Sequence, residues 1–388
     1  MTQTPRATLA GSVASAPGPA DARAAGGGAN ISVSEGADAP AEATRAGAPR
    51  PALTSIRRSN AVRATWVLVV AIALAALALL SIAIGSREVS FDDLVAGLMG
   101  GTDNLGQAAI VKRVPRTALA LLIGAALGLA GAVMQGVTRN PLADPSILGI
   151  NMGASLAVVI GISWFGLVSA IGYIWVAIAG AAVTAVAVYA IGSLGRGGAT
   201  PLKLALAGSA TTAALASLIT AISLPRGDVA EMIRSWQIGG VGGASWESTG
   251  NVVAFFAVGA IVCLISARSL NALALGDDVA ASLGEHVAVV RGIAAVGAVM
   301  LCGAATAVAG PIAFVGLVVP HFCRLLVGPD YRWLLPFSAL GGGVLLVAAD
   351  VLGRVIARPS EIDVGIITAI VGAPFFIAVV RRQRMRAL

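Results

Sequence analysis

The sequence predicts an all-α protein that crosses a membrane about ten times, and three observations carry that reading. Of the 388 residues 57% are hydrophobic and only 12% charged, about half the charge of an ordinary soluble domain. The mean hydropathy is +0.89. The apolar residues also fall in long blocks: residues 66–85 are twenty positions without a charge, enough for a helix to span a bilayer core.

Taken in order, the blocks are 66–85, 116–136, 147–165, 170–193, 202–224, 251–267, 289–308, 311–327, 334–355 and 364–380. Short polar breaks separate the third from the fourth and the seventh from the eighth. Gly124, Gly128 and Gly131 along the second block, and Gly341 to Gly343 in the ninth, are the small residues that close helix packing in lipid requires. Spans two to five and seven to ten, offset by an odd number of crossings, fit an inverted repeat.

Ahead of the membrane domain (61–388), residues 1–60 are rich in Ala, Gly, Pro and Ser, with four acids, six arginines and no aromatic residue. Such a segment cannot bury a core, and it reads as a disordered tail. With that tail inside, lysines and arginines divide fourteen to eight in favour of the inner loops outside the first fifty residues. Both termini are therefore expected in the cytoplasm.

The net charge of +7 is scattered between apolar blocks, which argues for lipid rather than nucleic acid as the partner. Cys263, Cys302 and Cys323 lie in apolar stretches and read as buried thiols. His286 and His321 have no metal or nucleophile motif beside them. Neither lysine, Lys112 nor Lys203, follows a glycine as in a phosphate-binding loop. No catalytic residue, metal site or cofactor of its own is expected, and the chain is not read as an enzyme. A transporter coupled to protons or sodium places acids inside its spans. Here only Asp350 does so, and Arg354 sits one helical turn later. A structural ion pair between them leaves no relay, so the driving force is expected from another subunit.

The stretch RVPRTALALLIGAALGLAGAVMQGVTRNPLADPSILGINMGAS, starting at Arg113, resembles the FecCD family, permeases of iron-siderophore, haem and cobalamin importers. The resemblance resumes at LNALALGDDVAASLGEHV, GPIAFVGLVVPHFCRLLVGPDYRWLLPFSAL, AADVLGRVI and VGIITAIVGAPFFIAVVRR, and so covers nearly all of the membrane region. Asp363 stands where the family often has proline, and the tail is longer than usual. The resemblance implies a ten-span subunit that works as a dimer, with itself or with a similar permease. Two ATPase subunits, carrying ATP and magnesium, bind from the cytoplasm; a substrate-binding protein or lipoprotein docks outside. An iron chelate, most naturally a ferric siderophore, passes along the dimer interface. Haem or cobalamin is the alternative cargo, and an ion-driven secondary transporter the alternative class.

Three sets of residues inherit roles from that resemblance. Arg113 and Arg116, placed just before the second span with Pro115 setting the helix start, and Arg354 would meet carboxylates of the binding protein; interfacial snorkelling is the plainer reading. Leu275, Gly276, Asp277, Asp278, Val279, Leu283 and Gly284 would form the coupling helix that docks in the ATPase. Its acids suit a helix N-terminus and Leu275, Val279 and Leu283 share one face; a free-standing loop helix would look alike. Gly197, Gly198, Ala199 and Thr200 would be the inner gate, where a flexible linker has the same composition.

Overall fold

The computed structural model describes residues 59–146, 148–194, 200–225 and 227–384. The tail expectation, for residues 1–58, and the gate residues Gly197, Gly198 and Ala199 lie outside the described residues. Every regular element among the described residues is a helix: α1 (Asn60–Ala83), α2 (Phe91–Leu98), α3 (Leu105–Val137), α4 (Ile150–Phe165), α5 (Ala170–Ser193), α6 (Pro201–Ser223), α7 (Gly227–Ile238), α8 (Trp246–Ile265), α9 (Ala267–Leu273), α10 (Asp277–Ser282), α11 (Val287–Ala309), α12 (Val315–Val327), α13 (Tyr331–Ile356) and α14 (Val364–Arg384). Seven of these, α1, α3, α5, α6, α8, α11 and α13, are long and apolar enough to cross a membrane, and α4, α12 and α14 are shorter apolar helices. Together they coincide with the ten apolar blocks. The four other helices connect them.

One boundary differs from expectation in a way that matters. α3 begins at Leu105, not near Arg116, with the Asn104 side chain accepting from the Gln107 N–H as its cap. Pro115 is inside the helix rather than at its start. Lys112, Arg113 and Arg116 made this turn look like a loop, but Arg113 and Arg116 have partners elsewhere in the bundle, described below.

α3 is buried along most of its length and forms the axis of the bundle, packed against α13, α11 and α12. The glycines explain how three backbones come so close. Gly124, Gly128 and Gly131, spaced four and three apart, occupy one face. A Cβ on Gly124 would overlap the Gly342 carbonyl, one on Gly128 the Ser338 carbonyl, and one on Gly131 the Gly316 backbone. Helices this near gain dispersion contacts that lipid cannot replace. At the periphery, α1 and α6 present exposed apolar side chains such as Leu68, Ile72, Leu79, Leu202 and Leu206, as lipid-facing or partner-facing helices do.

α11 and α12 are divided by a non-helical stretch, residues 310–314, in which Gly310 (φ 72°) and Phe314 (φ 69°) are left-handed. Backbone groups in a membrane need protein partners, and several are supplied. The Gly240 N–H donates to the Ala309 carbonyl at 2.8 Å, and the Gly365 N–H to the Gly239 carbonyl at 2.9 Å. Asn151, 3% exposed, donates from Nδ2 to the Ile312 carbonyl at 3.1 Å. The buried Asp144 carboxylate, held by the Ser146 N–H at 3.2 Å and by its hydroxyl, lies beside Phe314 and Gly316 at the start of α12. A carboxylate there complements the positive end of a helix.

Candidate functional site

Functional side chains gather at the two ends of the bundle. At one end α1 and α13 finish and α3 starts, and α1 has no basic residue in its last turn. Its terminal carbonyls, left without helical partners, are taken up by arginines from two other helices. Arg113 of α3 donates to the carbonyls of Ile82 at 3.2 Å, Ala83 at 3.0 Å and Arg87 at 2.6 Å. Arg354 of α13 donates to the carbonyls of Ser81 at 2.9 Å and Ile84 at 3.1 Å, and to the Ser81 hydroxyl at 2.7 Å. Cations at a helix C-terminus are favoured by its dipole.

Asp350, 1% exposed, completes the arrangement. Arg354 approaches its Oδ2 at 2.9 Å, so the structure brings the two residues together as an ion pair one turn apart. Arg116 joins the same carboxylate, donating to Oδ1 from Nε at 3.0 Å and from Nη2 at 2.8 Å. Its Nη1 reaches Glu361 at 2.5 Å, and Glu361 accepts from the Ser86 hydroxyl at 2.8 Å. One carboxylate thus serves two guanidiniums, and a chain of contacts ties α1, α3, α13 and the loop after α13.

Of the residues expected to dock the binding protein, Arg354 stands in the ion pair with Asp350 that the sequence also suggested, and Arg113 is turned inward. Arg113 and Arg354 are 6% and 1% exposed, inside the bundle and bonded to its own carbonyls. Arg87, Lys112 and Arg358 are exposed at this end. Glu361 and Ser86 carry no sequence motif, and only their distance-bridging contacts reveal them.

Glu361 lies outside the spans, and burial alone would raise its pKa. The hydrogen bond and charge of Arg116, with the Ser86 hydroxyl, reverse that and hold it below the ordinary 4.5. A carboxylate with a depressed folded pKa contributes stability that is complete above its unfolded pKa and is lost as pH falls through the folded one. The thermal midpoint of the native chain is accordingly expected to exceed that of Glu361→Gln above about pH 5 and to converge with it in acid. Parallel midpoint-against-pH curves for the two proteins would contradict this.

The other end carries α9 and α10. Gly276 (φ 117°) precedes α10, Asp277 and Asp278 fill its first turn, and Gly284 (φ 89°) follows it. Both glycines take backbone conformations that side chains resist. Leu275, Val279 and Leu283 are 65%, 44% and 63% exposed, an apolar face left uncovered among the described residues. α10 is held from above: Asp277 Oδ1 meets Arg291 of α11 at 2.9 Å and Arg139 of the loop after α3 at 3.2 Å. Nearby, Asn271 of α9 donates to Asp330 at 2.8 Å and accepts from the Tyr331 N–H at 2.9 Å, while Arg63 pairs with Asp330 at 3.7 Å. Of the expected gate residues only Thr200 is described, and it caps α6 through the Lys203 N–H.

Between the ends, Ile238, Gly365, Ile366, Ala369 and Ile370 of α7 and α14 line an open apolar groove of about 570 Å³. No cluster of His, Cys, Asp or Glu that could hold a metal ion occurs among the described residues.

Residues 73–382 match the FecCD transport family. The chain is 43% identical over 309 residues to the iron(3+)-hydroxamate import system permease protein FhuB of Bacillus subtilis (strain 168), covering 79% of this chain and 80% of that protein. It is also 43% identical over 306 residues to the ferric enterobactin transport system permease protein FepD of Escherichia coli (strain K12), covering 78% and 91%. Among solved structures, a metal-chelate type ABC transporter in an inward-facing conformation superposes with a TM-score of 0.70 at 27% identity, covering 82% of this chain and 99% of that one. With a match over most of its length, this multi-pass membrane chain belongs to the FecCD transport family.

Proposed function

We propose that the chain is the membrane permease of an ATP-driven importer that brings iron chelates, ferric siderophores first among them, into the bacterial cytoplasm. The observation that carries this reading is α10: a short helix wired to α11 and to the loop after α3, with its apolar face uncovered. A chain without a phosphate-binding loop of its own has to receive the work of ATP hydrolysis through such a joint. Two ATPase subunits, with their ATP and magnesium, dock on α10 and its copy in a second permease, identical or similar. The exposed apolar faces of α6 and α14 meet across the dimer, and the chelate travels between them. Both termini lie in the cytoplasm. An external binding protein docks at the arginine end, where Arg87, Lys112 and Arg358 offer surface charge while Arg113, Arg116 and Arg354 keep the rim in place.

Reconstitution of the permease with its ATPase and binding protein in proteoliposomes tests the reading. Ferric hydroxamate uptake is expected with ATP and a collapsed ion gradient, and to resist competition by cobalamin and haem. Uptake driven by a gradient without ATP would overturn the proposal. Competition by cobalamin or haem would reassign the cargo.

A further inference from the structure

At the α10 end, Gln135, Arg139, Ala274, Arg324, Pro329 and Tyr331 wall a cavity of about 210 Å³. Its lining carries two cations, Arg139 and Arg324, and no acid. Arg139 and Arg291 share a single oxygen of Asp277. Arg324, half-buried in the last turn of α12, donates to Gln135 Oε1 at 3.0 Å and has no carboxylate partner among the described residues. The helix dipole offsets only part of such a charge. Asp330, between two lining residues, is already engaged by Arg63, Asn271 and the Arg332 N–H. Arg139 is also held in the left-handed region (φ 48°), a conformation that costs a non-glycine residue energy and marks positions the surroundings dictate.

We infer that this cavity binds the phosphate of an anionic membrane phospholipid. Two guanidiniums offer the planar donor forks that match phosphate oxygens, and the Tyr331 hydroxyl is a further polar group on the wall. The position suits a lipid: the cavity opens where the membrane helices α3 and α12 end and α13 begins. Phe322 and Leu325, three positions apart on α12 and so on one face of it, are 51% and 60% exposed, apolar surface for lipid chains along this end of the helix. Basic pockets between spans on the cytoplasmic side are the usual form of such sites. That this end faces the cytoplasm, where anionic lipid is found, rests on the orientation proposed above.

The test uses the full chain in neutral detergent, with bound lipid counted by native mass spectrometry after addition of phosphatidylglycerol, phosphatidylcholine or inorganic phosphate. Phosphatidylglycerol is expected to bind the native chain and to bind Arg324→Gln roughly fivefold less, the loss typical of one cation near an anionic headgroup. Arg139→Gln, at an exposed side chain whose loss leaves Asp277 its Arg291 partner, is expected to do the same even if Arg324→Gln fails to fold. Arg268→Gln removes an exposed cation of α9 that does not line the cavity, and should bind as the native chain does. Equal binding by all variants, equal binding of phosphatidylcholine, or displacement of the lipid by inorganic phosphate would each overturn the inference. Lipid counting needs neither ATP nor chelate, so failure of iron uptake would tell against the importer reading alone.

Discussion

Replacing Asp350 by Ala is expected to cost the folded bundle about 3–5 kcal/mol, the range for breaking a buried ion pair from one side. The carboxylate is 1% exposed and is the joint counter-ion of Arg116 and Arg354. Its removal takes the buried counter-ion from two guanidiniums: Arg354, 1% exposed, and Arg116, whose side chain is 12% exposed. Arg116 keeps the partly exposed Glu361 carboxylate, whereas Arg354 keeps only uncharged carbonyl and hydroxyl partners at the end of α1, so the uncompensated interior charge is chiefly that of Arg354. The measurement is the thermal midpoint in detergent, with the monodisperse fraction after size exclusion. A drop of roughly 4–6 °C is expected for a protein of this size, and a midpoint within about 1 °C of the native one would show that the arginines do not need the acid. Replacing Arg116, Asp350 and Arg354 together by Met, Leu and Met should recover much of the loss. Well-packed apolar residues often match a buried ionic group in stability.

The second large effect is functional. Leu275→Asp with Leu283→Asp is expected to leave membrane levels normal, because both side chains are more than 60% exposed and outside the spans. If an ATPase covers that face, the change puts two unpaired charges into an apolar contact, at a cost of several kcal/mol each. Recovery of the ATPase with the purified permease should fall at least about tenfold, which needs only 1.4 kcal/mol, and uptake should fall with it. Full uptake by the double variant would sink the proposed role of α10. Lost uptake with undiminished ATPase recovery would point to transmission of movement rather than to docking.

Much of the fold is legible in the sequence because bilayer thickness and apolar block length are tied by one physical constant, the helix rise. The breaks at Gly166–Ser169 and at residues 310–314, the weakest in the sequence, are real because glycines and polar residues there find backbone partners. What sequence reading could not supply is the company that a charge keeps. Arg113 and Arg116 look like surface cations when only their neighbours along the chain are seen. Their partners are 26 to 245 residues away. Asp350 and Arg354 were paired in advance only because helical periodicity alone brings them together. The acid–glycine pattern around α10 was readable for the same local reason, whereas the Arg139 and Arg291 contacts to Asp277 were not. The cavity beside Arg324 likewise depends on three separated segments.

The shared counter-ion also sets a problem of timing during synthesis. Arg116 enters the membrane 234 residues before Asp350 exists. At about 5–20 residues per second, the gap lasts roughly 10–50 s. Throughout it Arg113 can already close the end of α1, since its carbonyl partners precede it in the chain. Arg116 has no such partner and has to wait at the lipid headgroups until the ninth span arrives. The bundle is thus locked late, by nearly the last helix to leave the ribosome. A nascent chain truncated after α12 should hold α1 and α3 together through Arg113 and the buried Ser81–Thr117 hydrogen bond.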